Sequence, residues 1–364
     1  MNTAQSRGRR KGVARRSKAT VASGLLALSL AACGGGESTE GQPAAGIGQQ
    51  TSDRKITVYS GRSESLVKPV LDSFRKASGI TVEVRYGDTA AMAAQLQEEG
   101  DRSPADVFLA QDAGALGAVA KRDLFTALPD EVLDKVPDTY RAKDGEWVGV
   151  TGRVRTMVYN TDQVPAADLP NSVFEVTDPQ WKGKIGIAPT NGSFQAFITA
   201  MRVQQGDQKT KDFLAGLKAN DAQIREGNAP IVADVNAGRI AAGLVNHYYV
   251  YELAKEEGTT VDALKAKNHF FPGGNIGSLV NVSGVGVVKK AGDDPDARAF
   301  VDYLLGTEAQ TYFAAETYEY PLVAGVDSAP GLPKLSSLNA PDIDLNDLDD
   351  LKTTVEMIKS SGLA

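Results

Sequence analysis

Residues 55–86 read KITVYSGRSESLVKPVLDSFRKASGITVEVRY, and they decide the fold because two strand patterns flank one helix pattern. Residues 56–60 form a short apolar run with β-branched members, which is typical of a buried strand. Within residues 63–77, apolar side chains recur at the spacing of an amphipathic helix. Residues 80–86 then alternate between apolar and polar side chains, as a second strand does. Two strands joined by a helix predict a parallel α/β arrangement.

The same alternation continues as far as Lys121. Helix patterns cover residues 89–99 and 113–121, and a buried strand pattern covers residues 105–109. We therefore predict parallel strands with helices packed on both faces of the sheet. In such sheets, ligands bind in the loops beyond the carboxyl ends of the strands.

Two β-rich stretches enclose a second α/β unit: one has patterns at residues 147–150 and 153–160, and the other covers residues 279–288. In that unit the patterns predict strands at 185–188 and 241–245 and helices at 194–203, 209–219 and 248–257. We interpret the two β-rich runs as strands on which the chain crosses from one lobe to the other and back. The sequence thus predicts a fold of the α/β class, with two lobes and a ligand cleft between them.

The predicted division of the chain has five parts. They are a signal peptide at 1–32, a tether at 33–52, an N-lobe of 53–152 and 278–327, a C-lobe of 153–277, and a C-terminal extension at 328–364 that ends in a closing helix.

The N-terminus is typical of an exported lipoprotein. Residues 1–32 contain seven basic side chains and no acidic one, and they end in an apolar stretch of 12 residues, too short to span a bilayer. The sequence LAAC at residues 30–33 resembles the bacterial lipobox, in which the cysteine receives a lipid, and Cys33 is the only cysteine in the chain. An ordinary signal peptide with a chance cysteine is the alternative. We expect an extracytoplasmic protein that is lipid-anchored to the cell membrane through Cys33.

The charge of the chain argues against nucleic acid as a partner. The formal net charge is −7, and loss of residues 1–32, with their seven positive charges, takes it to −14. An acidic surface repels nucleic acid phosphates. A helix N-terminus can still bind an anion locally, so an anionic ligand is compatible with this charge.

Five loops that follow predicted strands contain the candidate cleft residues. These residues are Arg62 and Ser63; Gln111 and Asp112; Arg153 and Arg155; Thr190, Asn191, Gly192 and Ser193; and Asn246 to Tyr249. The loop at 190–193 offers hydroxyls, an amide and backbone N–H groups at a helix N-terminus, which predicts an anion site. Simple capping of the helix is the alternative. The arginines are either bidentate partners of an oxyanion or solvated surface side chains.

The adjacent phenols of Tyr248 and Tyr249 suggest a site for a hard cation. They stand at the end of the predicted strand 241–245, an irregular position at which two neighbouring side chains can converge. Phenolate is a hard oxygen donor that suits a highly charged cation such as Fe³⁺, which has to displace a proton of pKa ~10. Ordinary amphipathic packing of the pair is the alternative, and Tyr251 strengthens it.

No constellation of enzyme residues stands out in the sequence. The chain has two histidines, His247 and His269, and it lacks the H-E-x-x-H, P-loop and G-x-S-x-G motifs. We therefore expect that the protein is not an enzyme. An extracytoplasmic hydrolase that uses His247 beside Tyr248, and a purely structural lipoprotein, are the remaining alternatives from other classes.

Six stretches together resemble the substrate-binding proteins of ABC-type ferric iron transporters, which share the binding logic of transferrin. The stretches are ITVYSGRSES (56–65), SPADVFLAQDAGAL (103–116), GVTGRVRTMVYNT (149–161), WKGKIGIAPTNGSF (181–194), LVNHYYVYELAKE (244–256) and EYPL (319–322). The resemblance implies the two-lobe periplasmic binding protein fold of type II, with two crossover strands and Fe³⁺ held in the cleft together with an anion.

The same resemblance implies roles for individual residues. Tyr248 and Tyr249 would be the iron ligands. The synergistic anion would be held by Asn191, Gly192 and Ser193, with Asn228 and Asn246 as supporting donors. The chain also departs from the family, since Ser63, Gln111 and Phe194 stand where many or some members have a histidine, a glutamate and a third tyrosine. Anions, water or a chelator would then fill the other coordination positions.

The function that these features predict is capture of ferric iron and its delivery to an ABC permease. Carbonate, phosphate or citrate would be the synergistic anion, and the protein would act as a monomer whose lobes close by bending near residues 149–153 and 282–286. The nearest alternative is a receptor of the same fold for an organic solute such as a phosphonate, a polyamine or a thiamine-like molecule.

Overall fold

The structure is a computed structural model that describes residues 54–338 and 340–364. The predicted signal peptide, the tether and the lipidation site Cys33 lie outside these residues. Within them, no helix is both long and apolar enough to cross a bilayer.

The described residues form eleven strands and eleven α-helices. The strands are β1 (Lys55–Ser60), β2 (Thr81–Tyr86), β3 (Val107–Ala110), β4 (Phe125–Thr126), β5 (Val148–Asn160), β6 (Ile185–Ile187), β7 (Gln223–Ile224), β8 (Ala242–Asn246), β9 (Ala266–His269), β10 (Val280–Val288) and β11 (Tyr320–Pro321). The helices are α1 (Glu64–Ser78), α2 (Thr89–Glu99), α3 (Ala113–Ala120), α4 (Asp130–Leu133), α5 (Gly192–Gln205), α6 (Asp207–Ala219), α7 (Asn228–Asn236), α8 (Tyr249–Glu256), α9 (Pro295–Leu304), α10 (Thr307–Glu316) and α11 (Leu351–Ser360).

The first half of the chain folds as its patterns predict. Strand β1 pairs in parallel with β2 on one side and with β3 on the other. Helix α1 buries Val67, Val70, Leu71 and Phe74, the apolar face that was read from the sequence. It ends at Gly79, whose φ of 71° is a left-handed conformation that suits glycine. The prediction of parallel strands with intervening helices is confirmed for β1, β2 and β3.

Strand β5 joins two sheets. Its first half pairs antiparallel with β10, from Val148 to Val154, and its second half pairs antiparallel with β8 and β9, from Arg155 to Asn160. Residues Val148–Asn160 therefore form one strand of 13 residues, which joins the two predicted patterns at 147–150 and 153–160. Since β5 pairs with strands of both sheets, it places Arg153 and Arg155 where the two sheets meet. The lobe boundaries after residue 152 and before residue 278 stay a prediction.

Several elements were not predicted from the sequence, and helix α7 shows why. Its residues NAPIVADVN follow Gly227 and contain Pro230, a composition that is typical of a loop. Proline is nevertheless compatible with the first turn of a helix, where its missing N–H needs no partner. The helix N-terminus at Asn228 matters for the site because it brings this amide to the cleft.

The C-terminal extension packs on both halves of the molecule. Helix α11 contacts α5 through the hydroxyls of Thr199 and Thr354, whose oxygens are 2.8 Å apart. The preceding segment lies on α3, and a Cβ at Gly114 would come within 2.4 Å of the Leu348 carbonyl oxygen. Glycine is therefore required at this contact.

Gly114→Ala is expected to destabilise the fold by about 1–3 kcal/mol, the usual cost of overpacking. Alanine normally stabilises a helix relative to glycine, so a loss of stability would come from the clash with Leu348. Urea unfolding measures the change, with Gly227→Ala as the control because its Cβ would meet nothing nearer than 3.9 Å. A gain in stability for Gly114→Ala would contradict the packing of the extension on α3.

Candidate metal centre

The turn between β8 and α8 brings two phenols together. Tyr248 stands at the N-cap of α8 and Tyr249 is the first residue of the helix. Their ring centroids are 4.4 Å apart, with 31° between the ring planes. Tyr248 is 1% exposed, and its hydroxyl has no hydrogen-bond partner among the described residues. A buried hydroxyl is seldom left without a partner, so it needs an explanation.

Tyr249 is partly exposed as a residue, but its phenol group lies in a buried environment that favours the neutral form. Burial of the phenol group raises its pKa well above the ordinary value, and the neighbouring Tyr248 and Glu252 raise it further, whereas Arg62 acts in the opposite direction. Only a strongly attractive cation can displace the proton of such a phenol. Among cations, those of high charge are best able to do so.

His247 is fully buried and serves the structure. The Val154 N–H donates to Nδ1 of His247 over 3.2 Å, and Nε2 donates to the Tyr318 carbonyl oxygen over 2.8 Å. This arrangement requires the neutral ring, and burial lowers the pKa of His247 to about 4. Since both ring nitrogens are engaged, His247 has no free nitrogen with which to act as the base of a hydrolase.

A cluster of polar side chains surrounds the buried guanidinium of Arg155. Its Nη1 donates to Ser193 Oγ over 3.2 Å and to Asn246 Oδ1 over 3.2 Å. It also donates to Asn228 Oδ1 over 3.4 Å, and Nη2 donates to the Leu244 carbonyl oxygen over 3.0 Å. Burial lowers the pKa of Arg155 to about 9. A buried cation with only neutral acceptors favours a bound anion beside it.

The loop before α5 completes this cluster. Asn191 caps the helix, because its Oδ1 accepts the Ser193 N–H over 3.0 Å and the Ser193 hydroxyl over 2.6 Å. Gly192 lies opposite Asp112, whose Oδ2 would be 3.5 Å from a Cβ at Gly192. Thr190 is exposed, and its carbonyl oxygen accepts from Gln195 over 3.2 Å. Capping and an anion site at this helix N-terminus are compatible, since one Asn oxygen leaves other N–H groups of the first turn free.

Arg62 and Arg153 both lie near the carboxylate of Glu319. Arg62 Nη2 is 2.7 Å from Glu319 Oε2, and both side chains are buried. Arg153 Nε is 3.9 Å from Glu319 Oε1, while Arg153 Nη2 donates to the Val282 carbonyl oxygen over 3.3 Å. The Nε and Nη1 groups of Arg153 have no hydrogen-bond partner among residues 54–338 and 340–364. Arg62 is thus paired within the protein, whereas Arg153 retains donors for a ligand.

The remaining candidates lie on the opposite side of the cleft. Ser63 precedes α1 and lines a cavity of about 390 Å³ together with Asn191, Asn228 and Tyr249. Asp112 caps α3 by accepting the Ala115 N–H over 2.9 Å, and burial raises its pKa. Gln111 is partly buried, and its backbone N–H donates to Thr89 over 3.2 Å.

Two carboxylates of the site were not found by sequence reasoning. Glu319 belongs to the stretch EYPL, which was noted only for its resemblance. Glu252 follows Tyr249 by three residues on α8, a spacing that places both side chains on one helix face and that could have been noticed. Burial raises the pKa of Glu252 to about 8, and the charge of Glu319 adds to the effect.

The chain is similar to proteins whose names describe solute binding and ferric iron binding. Residues 102–346 match a family described as bacterial extracellular solute-binding protein. An Fe(3+)-binding periplasmic protein of Serratia marcescens is 32% identical over 314 residues, which cover 86% of this chain and 92% of that protein.

Two solved structures share the fold. One is iron-bound HitA from Pseudomonas aeruginosa, with a TM-score of 0.80, 31% identity, and coverage of 85% of this chain and 99% of that one. Another is a Trichodesmium protein in complex with iron and citrate ligands, with a TM-score of 0.71, 27% identity, and coverage of 85% of this chain and 100% of that one. These likenesses confirm the two-lobe periplasmic binding protein fold of type II. The protein is a member of the family of bacterial extracellular solute-binding proteins.

Proposed function

We propose that this protein captures ferric iron, together with a synergistic anion, in the cleft between its lobes and delivers it to an ABC permease. The observation that carries the proposal is the pair of adjacent phenols on the β8–α8 turn, one of which is buried without a hydrogen-bond partner among the described residues. A metal ion that receives both phenolate oxygens accounts for this arrangement. The iron-binding relatives support the same conclusion.

Charge explains why the phenols and the arginine cluster lie side by side. Two phenolates offset two of the three charges of Fe³⁺, so the ion still attracts a further anion beside the phenols. Arg155, Ser193, Asn228 and the first turn of α5 offer a buried cation and hydrogen-bond donors for that anion. We infer that the anion bridges this cluster and the iron.

The cavity beside the phenols has room for more than a bare ion. Its volume is about 390 Å³, and Tyr249, Asn191 and Asn228 line it. Carbonate, phosphate and citrate are the candidate anions. Citrate is supported by the Trichodesmium protein, which is known in complex with iron and citrate ligands.

The anion requirement tests this proposal. The purified protein is titrated with Fe³⁺ by equilibrium dialysis in the presence of carbonate, phosphate or citrate, and in their absence. We expect tight binding with at least one of the three anions and much weaker binding without any. Equal retention of iron in the absence of every anion would remove the anion from the mechanism, and retention of none under all conditions would favour an organic solute.

Lobe closure is the proposed response to the ligand. The β5–β10 pairing has an irregularity between Ser283 and Gly284, within one of the two segments expected to bend. Disrupted pairing of this kind weakens the ladder locally, which favours bending there.

Small-angle X-ray scattering is expected to show a smaller radius of gyration after saturation with Fe³⁺ and anion, because the lobes approach each other. The Tyr248→Phe variant at the same concentrations serves as the control and is expected to keep the dimensions of the ligand-free protein. Identical dimensions of the native protein with and without ligand would count against closure.

We further propose that the protein is a monomer and that the lipid on Cys33 holds it at the outer face of the membrane. In its closed form it docks on the permease. The periplasmic location of the relatives supports an extracytoplasmic site of action.

A further inference from the structure

Glu252 shares a helix face with the two phenols. It follows Tyr249 by three residues and Tyr248 by four, and residues at these spacings lie on one side of a helix. The Glu252 N–H donates to the Tyr248 carbonyl oxygen over 3.0 Å. This hydrogen bond holds the backbone of the three residues in one helical turn. The side chains of Tyr249 and Glu252 therefore lie on one side of α8, and both line one cavity.

The carboxylate of Glu252 is poorly compensated within the protein. Its Oε1 is buried and has no hydrogen-bond partner in the part of the chain that the structure describes. The nearby cations are already paired, since Arg62 lies 2.7 Å from Glu319 and Lys255 lies 2.6 Å from Glu316. Buried carboxylates are normally paired or bound to a metal ion.

Glu252 also faces the ligand cavity. It lines the same cavity of about 390 Å³ as Tyr249, Asn191 and Asn228. Three carboxylates line this cavity, but Glu316 is paired with Lys255 and Glu256 is exposed. The carboxylate of Glu252 is thus the partly buried anionic donor beside the phenol, and hard trivalent cations prefer such oxygens.

We propose that Glu252 supplies a third anionic oxygen, besides Tyr248 and Tyr249, to the trivalent cation in the cleft. The inference rests on the proposed function, since it assigns a further ligand to the same site. With three anionic protein oxygens, α8 and the turn before it balance the charge of Fe³⁺, and the buried guanidinium of Arg155 balances the charge of the synergistic anion. The opposite loops offer the neutral side chains of Ser63 and Gln111.

The test compares Glu252→Gln with Glu257→Gln. Glu257 is exposed, stands at the C-cap of α8 and does not line the cavity, so it is a matched control for loss of negative charge. Glutamine keeps the shape of the side chain, and it removes a buried carboxylate that lacks a partner, so the ligand-free fold should be as stable as the native one or more stable.

For Glu252→Gln we expect a loss of Fe³⁺ affinity of about tenfold or more, measured by competition with a chelator. The tyrosinate-to-iron absorption band should also move to longer wavelength, because loss of an anionic donor makes the iron a better electron acceptor. Glu257→Gln should keep the affinity and the band of the native protein.

The outcomes separate this inference from the proposed function. If the native protein shows no tyrosinate-to-iron band, the proposed function fails. If the native band is present and Glu252→Gln keeps the native affinity or the native band position, Glu252 is not a ligand, while ferric binding by the phenols stands. Should Glu252→Gln fail to fold, Glu252→Ala is examined by the same two measurements.

Discussion

Replacement of Tyr248 or Tyr249 by phenylalanine is expected to lower the affinity for Fe³⁺ by more than about a hundredfold. Each substitution removes an anionic oxygen from the cation, and even residues that only orient a metal ligand cost ~10–100-fold in affinity when they are replaced. The Tyr248 hydroxyl has no hydrogen-bond partner within the described part of the chain, so its removal should leave the fold intact. Competition with a chelator measures the affinity, and thermal unfolding without iron checks the fold.

Tyr251→Phe is the matched control for these variants. Tyr251 lies on the same helix, but its hydroxyl donates to the Gly331 carbonyl oxygen over 3.2 Å, away from the pair. We expect native affinity for this variant. An equal loss in Tyr251→Phe, or native affinity in both Tyr248→Phe and Tyr249→Phe, would mean that the paired phenols pack together and do not bind the metal.

Arg62→Met is expected to destabilise the protein by about 3–5 kcal/mol, the usual cost of leaving one partner of a buried ion pair without the other. Arg62 and Glu319 are both buried, and their closest polar atoms are 2.7 Å apart. After the substitution, Glu319 keeps the Thr317 hydroxyl, which donates over 3.0 Å, and the more distant Arg153. Urea unfolding of the ligand-free protein gives the change in the free energy of unfolding.

The double variant Arg62→Met/Glu319→Gln provides the control. Because it removes both charges, it should regain a large part of the stability that Arg62→Met loses. If Arg62→Met changes the free energy of unfolding by less than about 1 kcal/mol, the pair is solvated in the ligand-free protein, and the buried geometry described above is wrong.

Local patterns in the sequence predicted the elements whose apolar faces repeat regularly. Helix α2 begins at Thr89 and ends at Glu99, as its pattern indicates, and β1 differs from its prediction by one residue. These elements are determined by which of their own side chains are buried, and burial leaves a period in the sequence. Where the composition was that of a loop, as in α7, the pattern was absent and the helix was missed.

The site was predictable only in part, because its contacts join residues that are far apart in the chain. Tyr248 and Tyr249 are neighbours at the end of a strand, so their convergence could be foreseen. The pairing of Arg62 with Glu319 spans 257 positions, and the contact of Arg155 with Asn246 spans 91. No local pattern specifies such partners, and Arg62 therefore looked like a free anion-binding residue.

The visible absorption spectrum tests the central claim most directly. The purified protein is titrated with ferric citrate in the presence of bicarbonate or phosphate, and the spectrum is recorded at each addition. Ferric binding by Tyr248 and Tyr249 predicts a tyrosinate-to-iron charge-transfer band that saturates at one iron per protein and disappears in Tyr248→Phe and Tyr249→Phe. Absence of the band from folded native protein, with all three anions tried, would contradict ferric binding by the two phenols.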